Sequence, residues 1–160
     1  NNMNKKCKIG FIGCGKMASA IIKGAISSKF LPKENLKGSE VNCAIAELAQ
    51  SRLDIEVITD NRFLTMDSDI IFIATKPNYV VDVLEEIKDE LTPEKLIVSI
   101  AAGVSTKKIE KVIGRKRVVR VMPNTPALVL EGMSGVCKGA YASEEDVEFV
   151  MEMLLSLIHI

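Results

Sequence analysis

One histidine, His159, is all that the 160-residue chain contains. Placed at the far end, it leaves no way to build a Ser-His-Asp or Cys-His arrangement for nucleophilic catalysis. The four cysteines, Cys7, Cys14, Cys43 and Cys137, form no C-x-x-C pair. With so little histidine, that spacing excludes a zinc site, and no metal is expected. The cysteines read instead as small thiols, buried or partly buried, in a reducing cytoplasm. Basic excess is also missing: lysine plus arginine and aspartate plus glutamate number 21 each. That balance argues against a dedicated nucleic-acid binder. No apolar run approaches the roughly 18 residues that span a bilayer, so no membrane partner is expected. The polar start, Asn1 to Lys6, lacks the apolar core of a signal peptide.

What is there is an alternation of short apolar runs with amphipathic stretches. It reads as an α/β, Rossmann-type domain over residues 6–156, a mostly parallel sheet with helices on both faces. Strands are predicted at Lys8 to Ile12, Asn35 to Val41, Ile55 to Ile58, Asp69 to Ala74, Leu96 to Ile100, Val118 to Met122 and Ser134 to Lys138. Helices are predicted from Lys16 to Ser28, Cys43 to Arg52, Asp60 to Asp67, Pro77 to Glu90 and Thr106 to Ile113, the last capped by Ser105. A final helix begins at Ser143, with Val147, Val150, Met151, Leu154, Leu155 and Ile158 as its apolar face. Asp67 and Asp69 read as solvated caps rather than a catalytic pair.

The motif with the most chemistry is Gly13-Cys14-Gly15-Lys16-Met17-Ala18, which follows a strand and opens a helix. It fits G-x-G-x-x-G/A, the dinucleotide fingerprint. Gly13 permits the tight turn, Gly15 lets a pyrophosphate approach the backbone, and Ala18 lets helix and strand pack closely. The helix N-terminus favours the phosphate charge. The acidic residue expected about 20 positions on is Glu40. Its carboxylate suits free ribose hydroxyls and so NAD, whereas Lys37, Ser39 and Asn42 nearby are polar or basic; Glu40 is also readable as a solvated strand end. NAD and NADP both stay open. Ligands in such sheets lie beyond the carboxyl ends of strands. There Lys76, in Ala74-Thr75-Lys76-Pro77, meets a ribose or phosphate or is simply solvated. Ser99 to Gly103 leaves room for a flat ring or only packs closely. Asn124 and Thr125, between Pro123 and Pro126, are polar contacts or a rigid turn.

Together these residues resemble the pyrroline-5-carboxylate reductase family. The opening Lys8 to Ala18 is similar to that family's first strand and glycine turn. Ala74-Thr75-Lys76-Pro77, with threonine where valine is common, and Val98 to Val104 resemble its next strand ends. Arg120-Val121-Met122-Pro123-Asn124-Thr125-Pro126-Ala127 is the most specific match. The resemblance implies a Rossmann domain that binds NADP or NAD and passes hydride to the C=N bond of 1-pyrroline-5-carboxylate, a small-molecule substrate, giving L-proline. It implies that Ile12, Gly13, Cys14, Gly15, Lys16 and Met17 contact the pyrophosphate. Asn61 falls on the adenosine side; Ala74, Thr75, Lys76 and Pro77, with Ile100, Ala101 and Ala102, line the nicotinamide half. Glu40 departs from the small polar residue common at its position.

The family also has a helical domain that binds substrate and intertwines with a second subunit. Its motif is absent from the sequence, so the chain is expected to be the cofactor half. It should bind dinucleotide and reduce the imine poorly alone, forming a homo-oligomer only when full length. No catalytic side chain is assigned. Two other readings remain: a stand-alone dinucleotide-binding module, and the first domain of a related imine or β-hydroxyacid reductase.

Overall fold

The computed structural model describes residues 7–122 and 135–155. Seven strands form one sheet: β1 (Ile9–Ile12), β2 (Leu36–Ser39), β3 (Glu56–Ile58), β4 (Ile70–Ile73), β5 (Leu96–Ser99), β6 (Arg117–Val121) and β7 (Val136–Lys138). Their order is β3-β2-β1-β4-β5-β6-β7. The first six are parallel, and β7 runs antiparallel to β6. The helices are α1 (Lys16–Ser27), α2 (Cys43–Leu53), α3 (Asn61–Met66), α4 (Val80–Ile87), α5 (Thr106–Ile113) and α6 (Glu144–Leu155). The chain winds outward from β1 in one direction and from β4 in the other. This is the Rossmann order, and its switch point falls between β1 and β4.

Helices cover both faces because successive strand residues point to opposite sides. Phe11, Phe72, Val98 and Val119 join the core beneath α1, α2 and α6. Their neighbours Ile12, Ile71, Ile97 and Val118 join the core beneath α3, α4 and α5. Burial on both sides explains why β4 is apolar at every position rather than alternating. The rings of Phe11 and Phe72 stack at 4.5 Å across the switch point.

Side chains start most of the helices. Asn42 accepts from the Ile45 N–H, Asp60 from Phe63 and Ser105 from Lys108, each relieving an unpaired first-turn donor. Gly15 starts α1 without a side-chain cap. The single helix expected from Pro77 to Glu90 is instead α4 with a 3₁₀ turn at each end, Pro77–Tyr79 and Lys88–Glu90. Proline supplies no N–H, and the Tyr79 N–H bonds Lys76 O three residues back.

On α6 the buried face is Asp146, Val150, Met153 and Leu154, so Met153 turns inward where Met151 and Leu155 were expected. Cys43 and Cys137 are exposed, against the expectation of buried thiols; Cys14 is buried and Cys7 half-buried. Among the described residues no helix is long and apolar enough to cross a membrane.

Candidate functional site

The strand register lines up the carboxyl edge of the sheet. Ile12 lies opposite Ser39 and Ile73, and Ile73 opposite Ser99. The residues that follow, Gly13, Glu40, Ala74 and Ile100, therefore share one rim. Gly13 has φ +92°, and a Cβ there would meet the Ala74 carbonyl oxygen at 2.8 Å. Only glycine fits that backbone. Its N–H donates to Ser39 O at 3.0 Å, tying the turn to β2.

Gly15 is different. Its φ of −74° suits any residue, and a Cβ would touch nothing within 4 Å. Neither strain nor packing requires glycine here. What the missing side chain provides is open access to the backbone at the start of α1, which a pyrophosphate needs. The turn thus fits a dinucleotide on the protein's own geometry.

Cys14, between the two glycines, is clamped from several sides. Its N–H donates to Glu40 Oε2 at 2.8 Å. Its carbonyl accepts from Arg52 Nη2 at 2.9 Å and Ser19 Oγ at 3.0 Å. Its thiol tucks over Gly38, where any Cβ would lie 2.5 Å from the sulfur. Burial, then the Glu40 charge, pushes that thiol up to about 12, so it stays protonated. Beside the turn is a hollow of about 740 Å³, bordered by Gly15, Lys16, Lys23, Glu40, Leu48 and Arg52.

Asn61 stands at the first position of α3, where its Oδ1 accepts from Ser39 Oγ at 2.6 Å. Its Nδ2 donates to Glu86 Oε1 at 2.8 Å. Asn61 is thereby fixed to the last residue of β2, next to Glu40. Lys37 turns away from Glu40 to pair with Asp67 at 2.8 Å and Glu56 at 3.3 Å. Asp67, expected to be a solvated cap, is therefore ion-paired, with Lys8 at 3.3 Å as a second partner.

The remaining site residues divide by what their side chains can reach. Lys76, Pro77 and Ala102 are exposed at the strand ends, and Ala74 is half-buried. Thr75 Oγ1 is buried with no hydrogen-bond partner among the described residues. Ile12, Ile100 and Ala101 are core residues, so any ligand contact from them comes through the backbone. Met17 packs half-buried against the α1-side core. Asn124 lies outside the described residues. Arg52, Ser19 and the Ser39–Asn61 bond were not singled out in the sequence; nothing local marks an arginine in the last turn of α2 as a partner of residue 14.

Residues 8–103 match the family model described as NADP oxidoreductase, coenzyme F420-dependent. The chain belongs to that family. Within it, the resemblance to pyrroline-5-carboxylate reductases is borne out. The reductase of Methanosarcina acetivorans is 43% identical over 147 residues, covering 91% of this chain and 54% of the relative. A solved pyrroline-5-carboxylate reductase from Coxiella burnetii superposes with a TM-score of 0.83 at 28% identity, over 96% of this chain and 57% of that one. The Plasmodium falciparum enzyme, solved with NADP bound, gives 0.79 at 30% identity, over 96% and 56%. The chain spans about half the length of the curated relatives it matches.

Proposed function

We propose that this chain is the cofactor-binding part of a cytoplasmic pyrroline-5-carboxylate reductase, homo-oligomeric at full length. In this reading it holds NADH or NADPH for reduction of 1-pyrroline-5-carboxylate to L-proline. The observation that carries the reading is Gly15, a glycine required by neither strain nor packing at the start of α1, on the rim of the switch point.

Gly13, Gly15, Lys16 and the first turn of α1 would hold the pyrophosphate, with Glu40 and Asn61 toward the adenosine. Thr75, Lys76, Pro77, Ala102 and Asn124 would flank the nicotinamide end, with Ile12, Ile100 and Ala101 contributing backbone; the Cys14 backbone, already bonded to Glu40, Arg52 and Ser19, would shape the turn. The dinucleotide, when bound, supplies the hydride; the protein supplies position and electrostatics. An imine accepts hydride more readily when protonated, so the chain needs no nucleophile of its own. The buried Thr75 hydroxyl, with no hydrogen-bond partner among the described residues, is a polar group at the rim with hydrogen-bonding capacity left for a ligand.

A segment exchange tests the reading. The 147 residues matched to the Methanosarcina reductase replace the corresponding segment of that enzyme. The chimera should reduce 1-pyrroline-5-carboxylate at the expense of a reduced dinucleotide. A folded chimera that binds dinucleotide but reduces only other imines or hydroxy-acid precursors would contradict it.

A further inference from the structure

We propose, building on the dinucleotide site above, that this chain prefers NADH to NADPH and that the Glu40 carboxylate makes the distinction. The two cofactors differ by one phosphate on the 2′-oxygen of the adenosine ribose. Sheets of this kind meet that oxygen at the end of the second strand, with a carboxylate for the free hydroxyl or a cation for the phosphate. Glu40 is the first residue after β2.

The position of the carboxylate is decisive. Glu40 Oε2 accepts from the Cys14 N–H at 2.8 Å, and Oε1 accepts from the Val41 N–H at 3.4 Å. Two backbone donors that would suit a phosphate are already given to an internal anion. A 2′-phosphate brought to this corner meets a like charge, which costs heavily where water is displaced. A free 2′-hydroxyl instead finds an acceptor held in place by the glycine turn itself.

The polar and basic side chains flanking Glu40 that would favour a phosphate are committed elsewhere. Lys37 pairs with Asp67 and Glu56. The Ser39 hydroxyl donates to Asn61. Asn42 caps α2. Val41, next after Glu40, is 81% exposed and offers apolar surface rather than a cation. Of the cations around the hollow, Lys16, Lys23 and Arg52, the last is bonded to the Cys14 carbonyl and the Ser19 hydroxyl.

Calorimetric titration of the 160-residue chain with NADH and with NADPH tests this directly. NADH should bind about tenfold or more tightly, one like-charge contact being ample for that ratio. Glu40→Ser should narrow the ratio or invert it, mainly by strengthening NADPH. Because Glu40→Ser also removes an acceptor from the turn, its melting temperature is measured alongside. A test without any variant is displacement by 5′-AMP against adenosine 2′,5′-bisphosphate, in which 5′-AMP should win. Equal affinities, or tighter NADPH drawn in by Lys16, Lys23 and Arg52, would overturn the preference while leaving the dinucleotide site standing. Failure of every nucleotide to bind would overturn both.

Discussion

The two ends of the sheet each carry a hollow, and the two are close in size. The one at the carboxyl end is about 740 Å³ and the one at the amino end about 620 Å³. Their polar groups behave differently. At the amino end Arg117 and Asp146 satisfy each other. Arg117 Nη1 donates to Asp146 at 2.8 Å, and its Nη2 reaches the Glu94 carbonyl. Ser143 and Asp146 exchange reciprocal bonds of 2.9 and 3.1 Å that open α6. At the carboxyl end, by contrast, Gly15 leaves backbone open beside the hollow, and Thr75, on the same rim but outside the hollow's lining, has no hydrogen-bond partner for its hydroxyl among the described residues. Size does not separate a binding site from a packed seam; unspent polar capacity does.

Substitutions at each end of the sheet should have different effects. The largest loss of stability is expected from Gly13→Ala, about 2–3 kcal/mol, since φ +92° and the Ala74 carbonyl both oppose a Cβ. Urea unfolding measures it. Next comes Arg117→Ala at the amino end. It strands Asp146, which is 7% exposed, but Arg117 is itself 33% exposed. The expected cost is about 2 kcal/mol, below that of a fully buried pair. Dinucleotide affinity should not change in this variant, and a tenfold loss would blur the division between the ends.

A smaller effect concerns acid. The Lys37 hydrogen bond, aided by Lys8, holds the Asp67 carboxyl below the usual carboxylate range. A lowered folded value means stability present at neutral pH and lost as pH falls through that value. The loss belongs below about pH 4. Asp67→Asn should flatten that part of the unfolding profile while costing under about 1 kcal/mol at pH 7, because the pair is part-exposed. An unchanged acid limb would mean that Asp67 gains nothing from Lys37. The smallest effect is on reactivity alone. Cys14 is pushed up to about 12 and Cys7 to about 11, both chiefly by burial. Iodoacetamide at pH 8 should label Cys43 and Cys137 first by peptide mass, with Cys14 last.

The part of the site written in neighbouring residues was legible in the sequence. Gly13 to Ala18, the strand before and the helix after form one contiguous signal, and the turn geometry follows from glycine itself. Glu40 was legible as a position but not as a contact. That its carboxylate folds back on the Cys14 N–H depends on the β1–β2 register, which joins residues 26 apart. Arg52 was illegible for the same reason, since α2 must first pack beside α1. The parallel core could be read from its apolar runs. The antiparallel β7 could not, because strand periodicity carries no direction. On α6 the inward turn of Asp146 overrode the simple apolar stripe, as its charge is matched by Arg117 from β6.

Gly15 is the residue whose missing side chain a bound pyrophosphate would need most. Gly15→Val fills the approach to the start of α1, at a cost of about 1 kcal/mol or less in helix capping. Calorimetry of dinucleotide binding to the wild-type chain and to Gly15→Val, with melting temperatures for both, is the most direct measurement. Binding by the wild-type chain, weakened more than tenfold in a variant that melts nearly as before, is the predicted result. Equal affinity in the two proteins would contradict the assignment of the glycine turn as the pyrophosphate grip.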